Sequence, residues 1–324
     1  MNQSERIINL KEIFKSKFNI GSTDVFSSPG RIELLGNHTD HNNGKVLVSS
    51  VDLNVLAVTS KRNDDKVIFY SNGYSAMMLS INNLEKRVEE EGNSISMIRG
   101  VLYKMKELGY KIGGFSVVSD SSIPRGAGVS SSAAFEVLIA KIVSCYYNND
   151  EVKPFQLAQI AQFAESVYFN KPCGLLDQMG ISLGGINMID FKSIKEPNIK
   201  HVELELKDYD VVLVNTGDDH TSLTKYYAEI KDEMALIANH FNKKVLREVE
   251  HQEFLNEIPT LRVKYGGRAI LRAMHYFDEN KRVELAYKAI INNDIKMFLR
   301  CMNNSGESSY KLLQNCYYAD DKNE

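Results

Sequence analysis

Ile123-Pro-Arg-Gly-Ala-Gly-Val-Ser-Ser-Ser-Ala-Ala134 is the most informative stretch of the 324-residue chain. Its two glycines let the backbone approach a ligand closely, and three serines then open a helix. Unpaired N–H groups and the dipole at such a helix start favour an anion, above all phosphate. A Ser-capped helix after an ordinary glycine turn would carry the same letters. The Lys of a GxxxxGKS loop is absent, and so is the third Gly of the dinucleotide fingerprint, which removes both of those nucleotide folds.

The text on either side sets the fold class. Before the loop, Phe115–Val118 reads as a strand, and after it the pattern is helical from Ser131 to about Tyr147. A helix over residues 5–18 opens the chain, and β-type runs fill Val25 to about Tyr70, split by polar turns such as Asn42-Asn43-Gly44. Ile98, Val101, Leu102, Met105 and Leu108 share one face of a helix from Ile95 to Leu108. Another helix starts at Pro154, which suits a first turn, and reaches about Phe169. Short strands are expected near Gly185–Phe191 and Asp210–Asn215, and helices from Thr221 onward. The expected fold is α+β, with a domain at 1–190 and a mostly helical one at 191–324.

Composition narrows the function. Hydrophobic residues at 43% and charged residues at 25% describe a chain that can bury a core. A net charge of −3 with scattered Lys and Arg gives no basic stripe, so nucleic acid is not an expected partner. The start of the chain lacks a signal-peptide pattern, and no apolar run is long enough to span a membrane. Cys145, Cys173, Cys301 and Cys316 have neither disulfide-framework nor zinc spacing. The expected location is the cytoplasm.

Three further clusters carry polar chemistry. Ser28-Pro-Gly-Arg-Ile-Glu-Leu-Leu-Gly-Asn-His-Thr-Asp-His-Asn-Asn-Gly44 holds Arg31, His38, Asp40 and His41 between strand-like runs. Such donors and acceptors suit a polyhydroxylated ligand; a metal site or a solvated polar hairpin are the other uses of the same letters. Ala164-Glu-Ser-Val-Tyr-Phe-Asn-Lys-Pro-Cys-Gly-Leu-Leu-Asp-Gln178 contains Glu165 and Asp177. These two carboxylates could divide Mg²⁺ binding and proton acceptance, or be a surface residue and a helix cap. Cys173 reads as a packed thiol, since no base can be assigned to it. Val214-Asn-Thr-Gly-Asp-Asp-His-Thr-Ser-Leu-Thr-Lys-Tyr-Tyr-Ala228 leads a strand end through polar residues into a helix.

In type and order these clusters resemble the galactokinase branch of the GHMP small-molecule kinase family. SPGRIELLGNHTDHNNGKVL resembles the galactokinase motif usually written GRVNLIGEHTDYN, and IPRGAGVSSSAA resembles the family's phosphate loop. AES…PCGLLDQ and VNTGDDHTSLTKYYAEI are similar to the segments carrying the catalytic Asp and later sugar contacts. The resemblance implies a two-lobed fold, with a ribosomal-protein-like N-terminal lobe and an α/β C-terminal lobe, and transfer from ATP to the anomeric hydroxyl of α-D-galactose. It implies that Asp177 takes or orients the hydroxyl proton, that Arg31 steadies charge, and that Asn37, His38, Asp40, Gly174 and Tyr227 meet the sugar. It also implies that Gly126, Gly128, Ser130, Ser131 and Ser132 cradle phosphates, with Ser131 and Glu165 as Mg²⁺ ligands.

Two departures qualify what the resemblance implies. Asn37 stands where the family carries Glu, so another hexose is conceivable. A Gly-rich third motif expected near the C-terminus is not found before Glu324. The expectation is therefore either a truncated galactokinase or a shortened sugar- or nucleotide-binding sensor, with impaired turnover. A complete chain is expected to be monomeric, whereas a truncated one exposes apolar surface and tends to associate.

Overall fold

A computed structural model describes residues 2–21, 23–124, 126–171, 173–214 and 224–317. The chain divides into two compact units: Met1–Arg31 with Ser50–Gly184, and Ile32–Ser49 with Gly185–Glu324. This differs from a division at residue 190, because residues 32–49 group with the C-terminal helices. Side chains of a later helix in that unit bind the backbone of Gly36, Asn37, Asn42 and Lys45.

In the first unit, α1 (Gln3–Phe18) begins with a capping box between Asn2 and Glu5. It buries Leu10 and Phe14 against Leu56, Val58 and Val118. Strands β1 (Asp24–Leu35) and β2 (Lys45–Lys61) follow, each contributing residues to both units. Next come β3 (Lys66–Ser71), β4 (Met77–Ser80), α2 (Ser94–Glu107) and β5 (Phe115–Ser121). β5 pairs antiparallel with the C-terminal half of β2 and parallel with β3, which pairs antiparallel with β4. α2 buries Ile98, Val101, Leu102 and Met105 as its spacing requires, but Leu108 caps the helix and is 51% exposed.

Helix α3 (Ser131–Tyr147) is mostly buried, as its run of apolar residues dictates. α4 (Pro154–Phe163) passes directly into a π turn at Ala164–Tyr168, so the helical run reaches the expected neighbourhood of Phe169 but widens in its last turn. That single wide turn carries Glu165 inward, where it is 1% exposed. The last helix of the unit is α5 (Leu176–Leu183).

In the second unit, the first residues of β2 pair antiparallel with β6 (Ile186–Asp190), which pairs antiparallel with β7 (Asn198–Val202). Four helices follow: α6 (Thr224–His240), α7 (His251–Tyr265), α8 (Gly267–Ile291) and α9 (Ile295–Ser308). Leu35, Leu47, Met188 and Val202 pack with Val283, Ala286, Ile290 and Phe298 in one core.

The strand expected at Asp210–Asn215 does not form among its described residues, 210–214. Val212 and Val214 are each 76% exposed, and among the described residues this β-type run joins no ladder. β7, which sequence reading passed over, pairs with β6. Among the described residues no helix is long and apolar enough to cross a membrane.

Candidate functional site

The phosphate-loop letters form an irregular turn between β5 and α3 in the first unit. Gly126, Gly128 and Ser130 all adopt positive φ, at 67°, 73° and 59°. The glycines do this without steric cost, whereas Ser130 is held there by its surroundings. β1 fixes the turn from one side: Arg31 N donates to Val129 O at 3.2 Å, and Arg31 Nη1 donates to Gly128 O at 2.5 Å. A Cβ on Gly30 would sit 2.9 Å from Val129 O, so glycine is what lets the strand come this close. Beyond the turn, Ala133 and Ala134 are fully buried and anchor the start of α3. Its first amides are thus held at a fixed point, an arrangement suited to phosphate oxygens.

Asp177, in the first turn of α5, reaches the same place. Its Oδ1 accepts from Arg31 Nε at 3.0 Å and Nη2 at 2.6 Å, and its Oδ2 accepts from Ser130 Oγ. Burial would push this carboxyl up, but the Arg31 charge, the Ser130 and Arg31 hydrogen bonds and Lys171 outweigh it and hold it below the ordinary range. Asp177 keeps 35% of its side-chain surface open to solvent, so an incoming hydroxyl can reach it.

Glu165 is enclosed by donors: Ser132 Oγ at 2.8 Å, Lys171 Nζ at 2.8 Å and Gln178 Nε2 at 2.7 Å. The structure therefore brings Ser132, rather than Ser131, onto this carboxylate. Glu136, one turn along α3, is fully buried, and burial followed by the nearby Glu165 charge raises its carboxyl well above the usual range. Glu136 Oε1 and Gln178 Oε1 are buried with no hydrogen-bond partner. Glu165 and the hydroxyl of Ser132 are the oxygen ligands that this corner could offer a cation such as Mg²⁺. Burial pushes the Cys173 thiol up, which leaves it unreactive.

The second polar set belongs to the other unit and is built on α8. Glu279 Oε1 accepts Gly36 N at 2.9 Å, and His275 Nε2 donates to Asn37 O at 2.9 Å. Tyr276 Oη donates to Asn42 O at 3.1 Å, and Asn280 Oδ1 accepts Lys45 N at 2.7 Å. Four neighbouring side chains of one helix thus hold the backbone of residues 36–45. A helix spaces such groups at a fixed rise, so the loop inherits its rigidity. His275 also contacts Ser308 Oγ at 2.8 Å, and Ser305 Oγ donates to Glu279 Oε1 at 2.6 Å.

On this template, Asn37 Nδ2 donates to Ser309 Oγ at 3.0 Å, and Asp40 Oδ1 accepts His41 N at 2.8 Å. His38 takes a positive φ of 58°, and its ring lies 5.3 Å from that of Tyr227 on α6. The expected sugar residues therefore separate: Asn37, His38, Asp40 and Tyr227 lie in the second unit, and Gly174 lies in the first with Asp177. Residues 215–223 of the later sugar-contacting segment lie outside the described residues. Among the described residues no three His, Cys, Asp or Glu converge as a metal cage, so the His38–Asp40–His41 group is not one.

Sequence reasoning missed His275, Tyr276, Glu279 and Asn280, and gave no role to Glu136 or Gln178. The available signal was a run of hydrogen-bonding side chains on the buried face of one helix, which also buries Arg268 and Arg272. Position alone could not show that their partner is a backbone more than 230 residues away.

Known proteins match both sets. Residues 96–185 match the family described as GHMP kinases N terminal domain, and residues 12–61 match the galactokinase galactose-binding signature. A galactokinase of Streptococcus thermophilus is 31% identical over 300 residues, which is 91% of this chain and 77% of that one. A galactokinase of Clostridium perfringens is 30% identical, again over 91% of this chain and 77% of its own length. The crystal structure of Lactococcus lactis galactokinase complexed with galactose superposes with a TM-score of 0.78 at 26% identity, covering 95% of this chain and 80% of that one. A mevalonate kinase structure, at 16% identity and a TM-score of 0.54, shares the fold. With relatives of this identity matched along most of their length, the chain belongs to the galactokinase family of GHMP kinases.

Proposed function

We propose that the chain is an ATP-dependent galactokinase, moving the γ-phosphoryl group of ATP to the anomeric hydroxyl of α-D-galactose. The observation that carries the reading is the joint hold of Arg31 and Ser130 on Asp177, with Arg31 also gripping the phosphate-type loop at Gly128 O. One cation thereby ties the hydroxyl-facing carboxylate to the anion-binding turn.

In this reading the sugar's anomeric oxygen forms a bond to the γ-phosphorus as the bond to the ADP oxygen breaks. Phosphoryl transfer passes through a loose transition state, so positioning and charge stabilisation do most of the work. Asp177 is ionised well below neutrality and is a weak base, so it accepts the hydroxyl proton late. Until then it orients that hydroxyl. Arg31 stabilises charge on the transferring group, and the amides of Gly126–Ser132 hold the phosphates. Ser131, Ser132 and Glu165 would hold Mg²⁺, which neutralises phosphate charge when bound and would take over the charge that Lys171 Nζ now places on the buried Glu165. The sugar is met by Asn37, His38, Asp40 and Tyr227, with Gly174 beside Asp177. In this reading the chain acts in the cytoplasm on a small-molecule sugar and ATP, without nucleic acid.

A coupled assay of ADP release over a sugar panel tests this. Galactose-dependent ADP release supports it, and ATP turnover indifferent to galactose contradicts it. Asn37 favours including other hexoses, since an amide offers a donor where a carboxylate offers none.

A further inference from the structure

The orientation of His38 is fixed by a line of hydrogen bonds that starts at a backbone amide. Leu246 N, fully buried, can only donate, and it donates to Asn42 Oδ1 at 3.0 Å. That sets the Asn42 amide, whose Nδ2 then points at His41 Nδ1, 2.9 Å away. Nδ2 has only hydrogens to offer, so His41 Nδ1 carries the lone pair and His41 Nε2 carries the proton. His41 Nε2 faces His38 Nδ1 at 3.2 Å. His38 Nδ1 must therefore accept, and the proton of its neutral ring sits on Nε2. Burial first, and then neighbouring positive groups, keep His38 neutral.

We infer that His41 is a positioning residue that holds His38 in its Nε2–H form, so that His38 meets the sugar as a hydrogen-bond donor to a hydroxyl oxygen. Neither ring could set this alone, because an isolated imidazole chooses its tautomer freely. Only the backbone amide at Leu246, transmitted through Asn42 and His41, removes the choice. The consequence is selectivity for a ligand oxygen with a lone pair at that point. The inference rests on the galactose reading above for the identity of the ligand, and on the hydrogen-bond line alone for the tautomer.

The test pairs ring-nitrogen NMR of ¹⁵N-histidine-labelled protein with sugar kinetics. In the wild type, His38 is expected to show a protonated Nε2 and an unprotonated Nδ1. His41→Phe, which cannot donate, should give a mixed His38 tautomer, and with the Nε2–H form still about half populated the galactose KM should rise about twofold, with kcat and ATP KM changing less. His41→Gln restores a donor and should recover most of the loss. A protonated Nδ1 on wild-type His38 overturns the inference, as does a His41→Phe spectrum in which His38 stays wholly in the Nε2–H form. Should His41→Phe not fold, the wild-type spectrum and His41→Gln still decide the tautomer. A wild-type chain that binds no galactose contradicts the functional reading and the sugar half of the inference together, while the spectrum still decides whether His41 sets the ring.

Discussion

Arg31 meets a single oxygen of Asp177 through two nitrogens, Nε at 3.0 Å and Nη2 at 2.6 Å, while its third nitrogen holds Gly128 O at 2.5 Å. Two residues 146 positions apart are thereby locked to one turn of backbone. The planar guanidinium makes this possible, since its nitrogens diverge in a fixed fork that no ammonium can copy. Arg31→Lys should therefore lower kcat/KM about a hundredfold, a transition-state loss of roughly 3 kcal/mol, and raise the KM for ATP as the loop loosens. Steady-state kinetics in both substrates checks it.

Asp177→Asn keeps the shape but removes the charge and the proton acceptor. Turnover should fall by about two to four orders of magnitude. Nucleotide binding, which rests on the loop amides, should persist in calorimetry. A variant that lost ATP binding as well would show that Asp177 builds the loop rather than serving the reaction.

His275 carries a pH dependence. It is fully buried, and burial lowers its pKa from 6.5 to about 4, against smaller upward contributions from its bonds to Asn37 and Ser308 and from Asp278, with Arg282 acting downward. The unfolded chain binds the proton first, so stability is complete above about pH 6.5 and is lost as pH falls toward 4, by up to about 3 kcal/mol. His38 and His41 are shifted in the same direction. Urea unfolding at several pH values should show this slope, and His275→Gln should flatten it.

Glu279 is a fully buried carboxylate bound by Gly36 N, Ser305 Oγ and Arg282. Glu279→Ala strands the Arg282 charge and the Gly36 amide, and should cost about 3–5 kcal/mol of stability. Glu279→Gln, which keeps acceptors, should cost less. Chemical denaturation reads both.

The exposed run Val211–Val214 offers an uncharged, β-type apolar surface. Val212→Lys should slow concentration-dependent light scattering without changing the melting temperature by more than about 2 °C.

Much of this was legible in the letters, for a physical reason. Helices α1, α2 and α3 announce themselves because their burial is local and periodic, and the loop at Gly126–Ser132 because its conformation depends on which residues lack a Cβ. Leu108 and the strand expected at Asp210–Asn215 failed where the outcome depended on a neighbour: a cap in one case, a missing pairing partner in the other. The π turn at Ala164–Tyr168 has no letter of its own, yet it turns Glu165 inward. The α8 template was illegible for the same reason, since His275 and Glu279 read as ordinary helical polar residues until the backbone of Gly36 and Asn37 lies beside them.

The most direct test of the account follows ³¹P NMR of a mixture of the protein, MgATP and galactose. A growing sugar 1-phosphate signal matched by ADP is expected, with both abolished in Asp177→Ala. ADP formation without a sugar phosphate, or a signal that Asp177→Ala leaves intact, would contradict it.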